Sequence, residues 1–344
     1  MTASMPSAAD APLSAGTESD VCDAPVFVDE YFRKKPKKHG REWKVVTAPC
    51  HLTPIADTHA HLDMLSDPAL ALARAGAHDV RFVEAMVDPL SEAGAAAFDQ
   101  LPAWQHQAEL YTRQMSTRIC GQGWHPAPKV RIAVGVHPHE AKAWDARTRA
   151  EMLRLLHDER VSALGEIGLD YHYDHSPREV QRSVFAEQVQ MAATAGLPTI
   201  LHVREAFDDA FAIMEEIGFS DAGVLLHCYT SDEREIGRWV EAGCFVAFGG
   251  AFTFKKLESI RQAAALVPRD RLLLETDAPF MTPEPLRGTE CEPAHVIWTA
   301  QRLVDYLLPQ ASPEERQELL ERTYRNALGL LDREPTSWQR AEHA

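Results

Sequence analysis

The sequence predicts an α/β fold, a (β/α)8 TIM barrel with a flexible N-terminal extension, and three observations carry that expectation. From Pro54 onward, eight short apolar runs alternate with longer stretches of helical pattern. The runs are apolar almost throughout rather than alternating, as parallel strands covered on both faces are. Residues able to bind a cation close five of them: the first, fourth, fifth, sixth and eighth. An open doubly wound sheet gathers ligands near one crevice, whereas a closed ring brings the carboxyl ends of all five strands to one point.

Residues 1–52 lack hydrophobic periodicity and are rich in Ala, Ser, Pro and charge, so a disordered or extended tail is expected there. Within it Arg33, Lys34, Lys35, Lys37 and Lys38 form a basic run preceded by Tyr31 and Phe32. A solvated linker is the expected role, with a nucleic-acid-contacting arm as the alternative. The barrel is expected over 53–333, and 334–344 as a C-terminal tail. PIADTHA and DVRFVEAMV are the first two strands. The segment Ser91–Val130 is long for one crossover, and its Trp104, Gln105, His106, Cys120 and Trp124 follow no obvious pattern, so it reads as an irregular or partly helical insertion.

RIAVGVHP and VSALGEIGLD are strands three and four. In the following REVQRSVFAEQVQMAATAG, Val184, Phe185, Val189 and Met191 lie broadly on one side of a helix. Ser176 and Pro177 supply its start signal and Gly196 its stop. PTILHVR, GVLLHCYT, CFVAFGG and RLLLETDA complete the eight, and Pro279 forces the chain to leave the sheet after the last.

At 344 residues, with 45% hydrophobic and 25% charged residues, the chain has the make-up of an ordinary globular protein built on one large domain. Its formal net charge of −16, from 35 basic and 51 acidic residues, restricts any polyanion contact to a local patch. Bound divalent cations are one way to make such a patch. Six cysteines lie far apart without a CxxC pair, as reduced thiols do. With no basic apolar leader and no run of about 18 apolar residues, a cytoplasmic, non-membrane protein is expected. No membrane contact and no stable protein partner is implied.

The residues that close the runs are His59 and His61, Glu166, His202, His227 and Asp277. His59 and His61 are two apart at a strand end, so both project to the same side and can share one cation. Glu166 lies between Gly165 and Gly168, which permit close backbone approach, and no basic residue within its strand neutralises it. His202 and His227 follow apolar residues at equivalent places on successive strands. Asp277 closes the eighth run; a carboxylate there can serve as metal ligand and proton acceptor together. Asp170 reads as supporting or turn-forming, and Glu275 as structural or supporting. Four imidazoles and two carboxylates with two divalent ions leave about +2 of charge, which suits an anion. Arg204, two residues beyond His202, is placed to hold a phosphate oxygen or to pair with a carboxylate.

With these residues assembled, the chain resembles the TatD family of metal-dependent deoxyribonucleases, within the amidohydrolase-like barrel superfamily, from about Ile55 to about Leu331. The motifs are DTHAHLD, GVHPHEA, GEIGLDY, then Gln181, Phe185 and Gln188, then LPTILHVREAFDD, LLHCYTSD and ETDAPFMTPEPLRGTECEP. The resemblance implies two divalent metal ions (Mg2+, Mn2+ or Zn2+). His59, His61 and Asp277 would hold one, His202 and His227 the other, and Glu166 would bridge. It implies a DNA substrate, single-stranded or at 3′ ends, hydrolysed by metal-activated water, often as a 3′-to-5′ exonuclease. Asp277 and Glu166 are then the catalytic residues. His137 and Arg287 match positions near the substrate; otherwise His137 caps a strand and Arg287 pairs with Glu292. Cys291 stands where the family usually carries Asn, and AMVDPLSEAG departs from the common pattern. The alternatives are an amidohydrolase or deacylase of small carbonyl substrates and, from another class, a non-catalytic metal-stabilised scaffold.

Overall fold

The computed structural model describes residues 31–34, 43–49, 53–118 and 125–341. Lys35, Lys37, Lys38, Cys22, Cys50, Cys120 and Trp124 lie outside them.

Each of the eight apolar runs is a strand: β1 (Ile55–Ala60), β2 (Val80–Val87), β3 (Lys129–Val134), β4 (Val161–Asp170), β5 (Thr199–Arg204), β6 (Val224–Leu226), β7 (Phe245–Phe248) and β8 (Leu272–Leu274). Each pairs in parallel with the next in sequence order. The ring closes between β8 and β1 through a parallel bridge of Ala60 with Ala278. Asp277 N donates to His59 O at 3.0 Å and His61 N to Ala278 O at 2.8 Å across the same seam. The closed ring is what carries five strand ends to one mouth.

Around it run α1 (Pro68–Ala77), α2 (Glu92–Arg118), α3 (Ala146–Leu156), α4 (Arg178–Ala195), α5 (Phe207–Ile217), α6 (Glu233–Glu241), α7 (Glu258–Leu266) and α8 (Val296–Leu307). Outward-facing Val80, Val83, Ile132, Val134 and Leu164 pack against these helices. Inward-facing Ala56, Phe82, Met86, Ala133, Ile200 and Leu273 fill the lumen. At the end where the strands begin, α9 (Pro313–Leu331) closes the barrel with Ala327, Leu330 and Leu331. Asn326 Nδ2 fixes that lid to the start of β8 by donating to Leu272 O at 3.0 Å. A short α10 (Ser337–Ala341) follows, whose buried Gln339 donates to the carbonyls of Leu156 and Val161. No helix among the described residues is long and apolar enough to cross a membrane.

The structure sharpens one expectation and extends another. Of Ser91–Val130, read as irregular or partly helical, most is α2, a single helix of 27 residues with Pro102 inside it. Its buried Ala97, Leu101, Ala108, Thr112 and Met115 recur at helical spacing, a stripe hidden in the sequence by the proline and by the polar Gln105–Gln107 face. Within the stretch read as a tail, Arg33–Lys34 pairs antiparallel with Lys44–Val45, and Phe32 is buried. The Phe32 ring lies edge-on to His295 at 5.4 Å and to Trp298 at 5.6 Å, which anchors this strand pair beside α8.

A carboxylate lies among the apolar side chains of the lumen. Glu84 sits between Phe82 and Met86, fully buried. One oxygen accepts Ser162 Oγ at 2.6 Å, and the other has no hydrogen-bond partner among the described residues. Burial pushes its pKa up to about 8. Between about pH 4.5 and about pH 8 the folded protein therefore retains a proton that the unfolded chain has released, and stability falls as pH rises across that window. Glu84→Gln keeps the acceptor for Ser162 and cannot ionise. In urea titrations at successive pH values, its stability should gain on the parent's between about pH 5 and about pH 8; parallel curves would refute the assignment.

Candidate metal centre

Strand alternation and one irregularity build the site. On β1, Asp57, His59 and His61 fall on one side two by two. Asp57, fully buried, accepts Thr276 N at 2.8 Å and Thr276 Oγ1 at 2.6 Å. That ties the segment bearing Asp277 to the one bearing His59 and His61. On β4, the register with β5 shifts between Gly165 and Ile167, so Glu166 occupies the extra position and turns into the lumen. Gly168 follows with φ of 144°, and a Cβ there would run into the carbonyl of His202. Only glycine lets the two metal-type segments lie this close.

The other five predicted side chains gather around the Glu166 carboxylate, and each of its oxygens has its own set of neighbours. Oε1 lies 2.7 Å from His202 Nδ1 and 2.8 Å from His227 Nε2. Oε2 lies 3.4 Å from His59 Nε2 and 3.6 Å from His61 Nε2. Asp277 Oδ1 completes the second set, 3.6 Å from His61 Nε2 and 3.9 Å from His59 Nε2. Within each set the ring nitrogens also face one another, His59 and His61 at 3.4 Å and His202 and His227 at 3.2 Å. In the absence of an ion, protons on the imidazoles hold these nitrogens and carboxylate oxygens together, and a divalent cation can take the place of those protons. The donor set is that of a divalent-ion site of mixed imidazole and carboxylate type.

The electrostatics agree. Against the pull of burial, the charges of His227, His137 and His59 hold Glu166 well below the usual carboxylate range. Burial likewise opposes, but the hydrogen bond from His61 together with the neighbouring His59 and His227 overcomes it, so Asp277 is lowered too. His61 and His202 are each raised to about 9 in spite of burial, by Asp277 and Glu166 in the first case and by Asp170 and Glu166 in the second. Burial, reinforced by the neighbouring His227, lowers His59 to about 4. The cluster keeps its carboxylates ionised and draws positive charge to itself.

The remaining predicted residues divide. His137 Nε2 stands 3.6 Å from Glu166 Oε1, and its Nδ1 also accepts His139 N at 3.2 Å, so it both faces the cluster and caps a 3₁₀ turn. Arg204 lines the cavity, its guanidinium carbon 4.7 Å above the Tyr173 ring rather than beside a carboxylate. Arg287 is exposed, stacked over Phe254 at 3.9 Å, and does not line the cavity. Its suggested partner Glu292 is bonded to Arg74 at 2.6 Å instead. Glu275 is buried with one oxygen accepting Cys228 N, a supporting position behind His227.

Two contributors were missed or left vague by sequence reasoning. Asp170 Oδ2 lies 3.2 Å from His202 Nε2 and 2.9 Å from His139 Nε2, while Oδ1 accepts the amides of His172 and Tyr173 at 2.9 Å. Asp88, just past β2, accepts His137 N at 3.2 Å. An acid directly after an apolar run was the available signal for both. The cavity over the cluster measures about 630 Å³ and is rimmed by Asp63, Asp88, Tyr173, Arg204, Phe280 and Met281.

A parallel eight-stranded barrel with such a cluster at its carboxyl end belongs to a metal-dependent hydrolase. The chain is a member of the TatD-related DNase family, whose model matches residues 56–332. The uncharacterized metal-dependent hydrolase YcfH of Escherichia coli K12 is 34% identical over 249 residues, 70% of this chain and 84% of the relative. The 3'-5' ssDNA/RNA exonuclease TatD of Pantoea sp. At-9b is 35% identical over 182 residues, 51% of this chain and 70% of that protein. In fold, the crystal structure of YJJV, a TatD homolog from Escherichia coli K12, superposes with a TM-score of 0.65 at 22% identity, over 81% of this chain and 98% of that one.

Metal-ligating histidines characteristically give their second ring N–H to a carboxylate, which fixes tautomer and orientation. Asp170 is so placed for His202. Asp170→Asn should weaken divalent-ion binding about 10- to 100-fold in equilibrium dialysis, with the circular dichroism spectrum unchanged; unaltered affinity would exclude that role.

Proposed function

We propose that this chain hydrolyses phosphodiester bonds of DNA, removing nucleotides from single strands in the 3′-to-5′ direction, with two divalent ions as cofactors. The observation that carries the reading is the division of Glu166, one oxygen toward His202 and His227 and the other toward His59, His61 and Asp277. One carboxylate presented to two ligand sets is a bridging arrangement, and paired metal sites suit in-line displacement at phosphorus. The 3'-5' ssDNA/RNA exonuclease named among the relatives supports the substrate class.

On this reading His59, His61 and Asp277 would hold one ion and His202 and His227 the other, with Glu166 shared between the two sets. When bound, the ions activate water and screen the phosphoryl oxygens. Asp277, a carboxylate beside that water, would take its proton. His137, which burial holds well below its usual pKa, stays neutral and offers a hydrogen bond to a non-bridging oxygen beside Glu166. Arg204 lines the same cavity, its guanidinium ready for a further phosphate oxygen.

The deciding measurement is nucleotide release from a single-stranded oligonucleotide by metal-stripped protein, with Mg2+, Mn2+ and Zn2+ restored one at a time and an N-acyl amino acid assayed alongside. Release should depend on the restored ion and fall at least about 100-fold in Asp277→Asn and Glu166→Gln, the scale of losing a principal electrostatic contact in the transition state. Undiminished release by folded variants would overturn the assignment, and turnover of the N-acyl amino acid alone would replace it with amidohydrolase chemistry.

A further inference from the structure

Of the seven large apolar side chains exposed among the described residues, three, Met64, Tyr173 and Phe280, line the cavity that holds the metal cluster. Tyr173 is 50% exposed and Phe280 48%. Apolar surface gathered at a polar site is a recognition feature rather than ordinary scatter. Tyr173 follows the end of β4 and Phe280 the end of β8. Strands four apart in a ring of eight lie opposite each other, so the two residues stand on opposite walls with Glu166 between them.

Both rings are held by the site itself. The guanidinium of Arg204 lies 4.7 Å over Tyr173, His175 runs parallel to that ring at 5.6 Å, and His139 meets it at right angles at 5.6 Å. Phe280 meets the His61 ring edge-on at 6.1 Å. Neither ring needs the other's wall for its position, and half of each remains open to the cavity.

We propose that Tyr173, layered with Arg204, and Phe280 are two base-stacking platforms that grip the nucleotides on either side of the scissile phosphate and make the site selective for unpaired strands. The inference rests on the phosphodiesterase reading above. Every base offers a π face, and aromatic rings and guanidinium planes stack on it without regard to sequence. In a duplex those faces are already covered by neighbouring base pairs, so only an unpaired end can present them. With a base on each wall, the intervening phosphate lies over the Glu166 cluster, within the cavity that Arg204 also lines.

The test uses the full-length protein reconstituted with the ion that supports activity, as the parent and as Tyr173→Ala, Phe280→Ala and the double variant. The substrates are a single-stranded oligonucleotide, the same strand with abasic tetrahydrofuran residues at its 3′ end, and the corresponding duplex. The parent should favour the intact strand over the abasic one on the order of 10-fold for each platform in kcat/KM. Each single variant should lose one platform's share through KM, and the double variant should cut intact and abasic strands alike and show a reduced preference for single strand over duplex. Both side chains are half exposed, and thermal melts confirm that the variants fold. Equal cleavage of intact and abasic strands by the parent, or full retention of its preference by the double variant, would overturn the platforms while leaving the phosphodiesterase reading in place. A parent that cuts none of the strands would overturn both.

Discussion

The carboxylate of Glu166 is buried among imidazoles, and the upper half of the barrel is arranged to make that tolerable. A buried carboxylate is costly unless positive charge and hydrogen-bond donors surround it. Here five ring nitrogens lie within 3.6 Å of its two oxygens. The demand propagates outward. His202 needs Asp170 to fix its orientation, Asp170 needs the amides of His172 and Tyr173, and Asp57 straps β1 to Thr276 so that His59, His61 and Asp277 keep their relative places. Removing any one strut moves a ligand rather than a surface group.

The barrel meets that demand by separating its two ends. The start of the ring is closed by apolar side chains of α9, and the carboxyl end carries the ionisable groups. The net charge of −16 would oppose a polyanion over most of the surface. On the proposed function, divalent ions held by the cluster would invert that sign locally and confine attraction for phosphate to the mouth. Distribution of charge, more than its total, would then make an acidic protein compatible with such a substrate.

The strands and the six central side chains were legible because a barrel strand announces both itself and its functional end in one stretch: an apolar run finishing in His, Glu or Asp. The rest failed for physical reasons that differ by residue. Pro102 masked a helix because a proline inside a helix normally ends it, whereas here the packed stripe from Ala97 to Met115 overrides the local penalty. Arg287 seemed a partner for Glu292 because the two are five residues apart, but Arg74, remote in sequence, reaches that carboxylate first. Asp170 and His139 are joined across 31 residues, a pairing created by neighbouring loops and invisible to spacing. Phe32 shows the same limit, since a lone aromatic in a polar stretch carries no period to betray its burial against His295 and Trp298.

The lid formed by α9 has a kinetic meaning. With the lumen packed and Leu330 and Leu331 covering the end where the strands begin, the cavity over the cluster is reached, among the described residues, from the carboxyl end of the ring. Whatever leaves must cross the rim by which the next molecule arrives, so departure and arrival contend for the same doorway. Turnover in such a cavity is governed as much by how firmly the rim grips what has already reacted as by the chemistry beneath it.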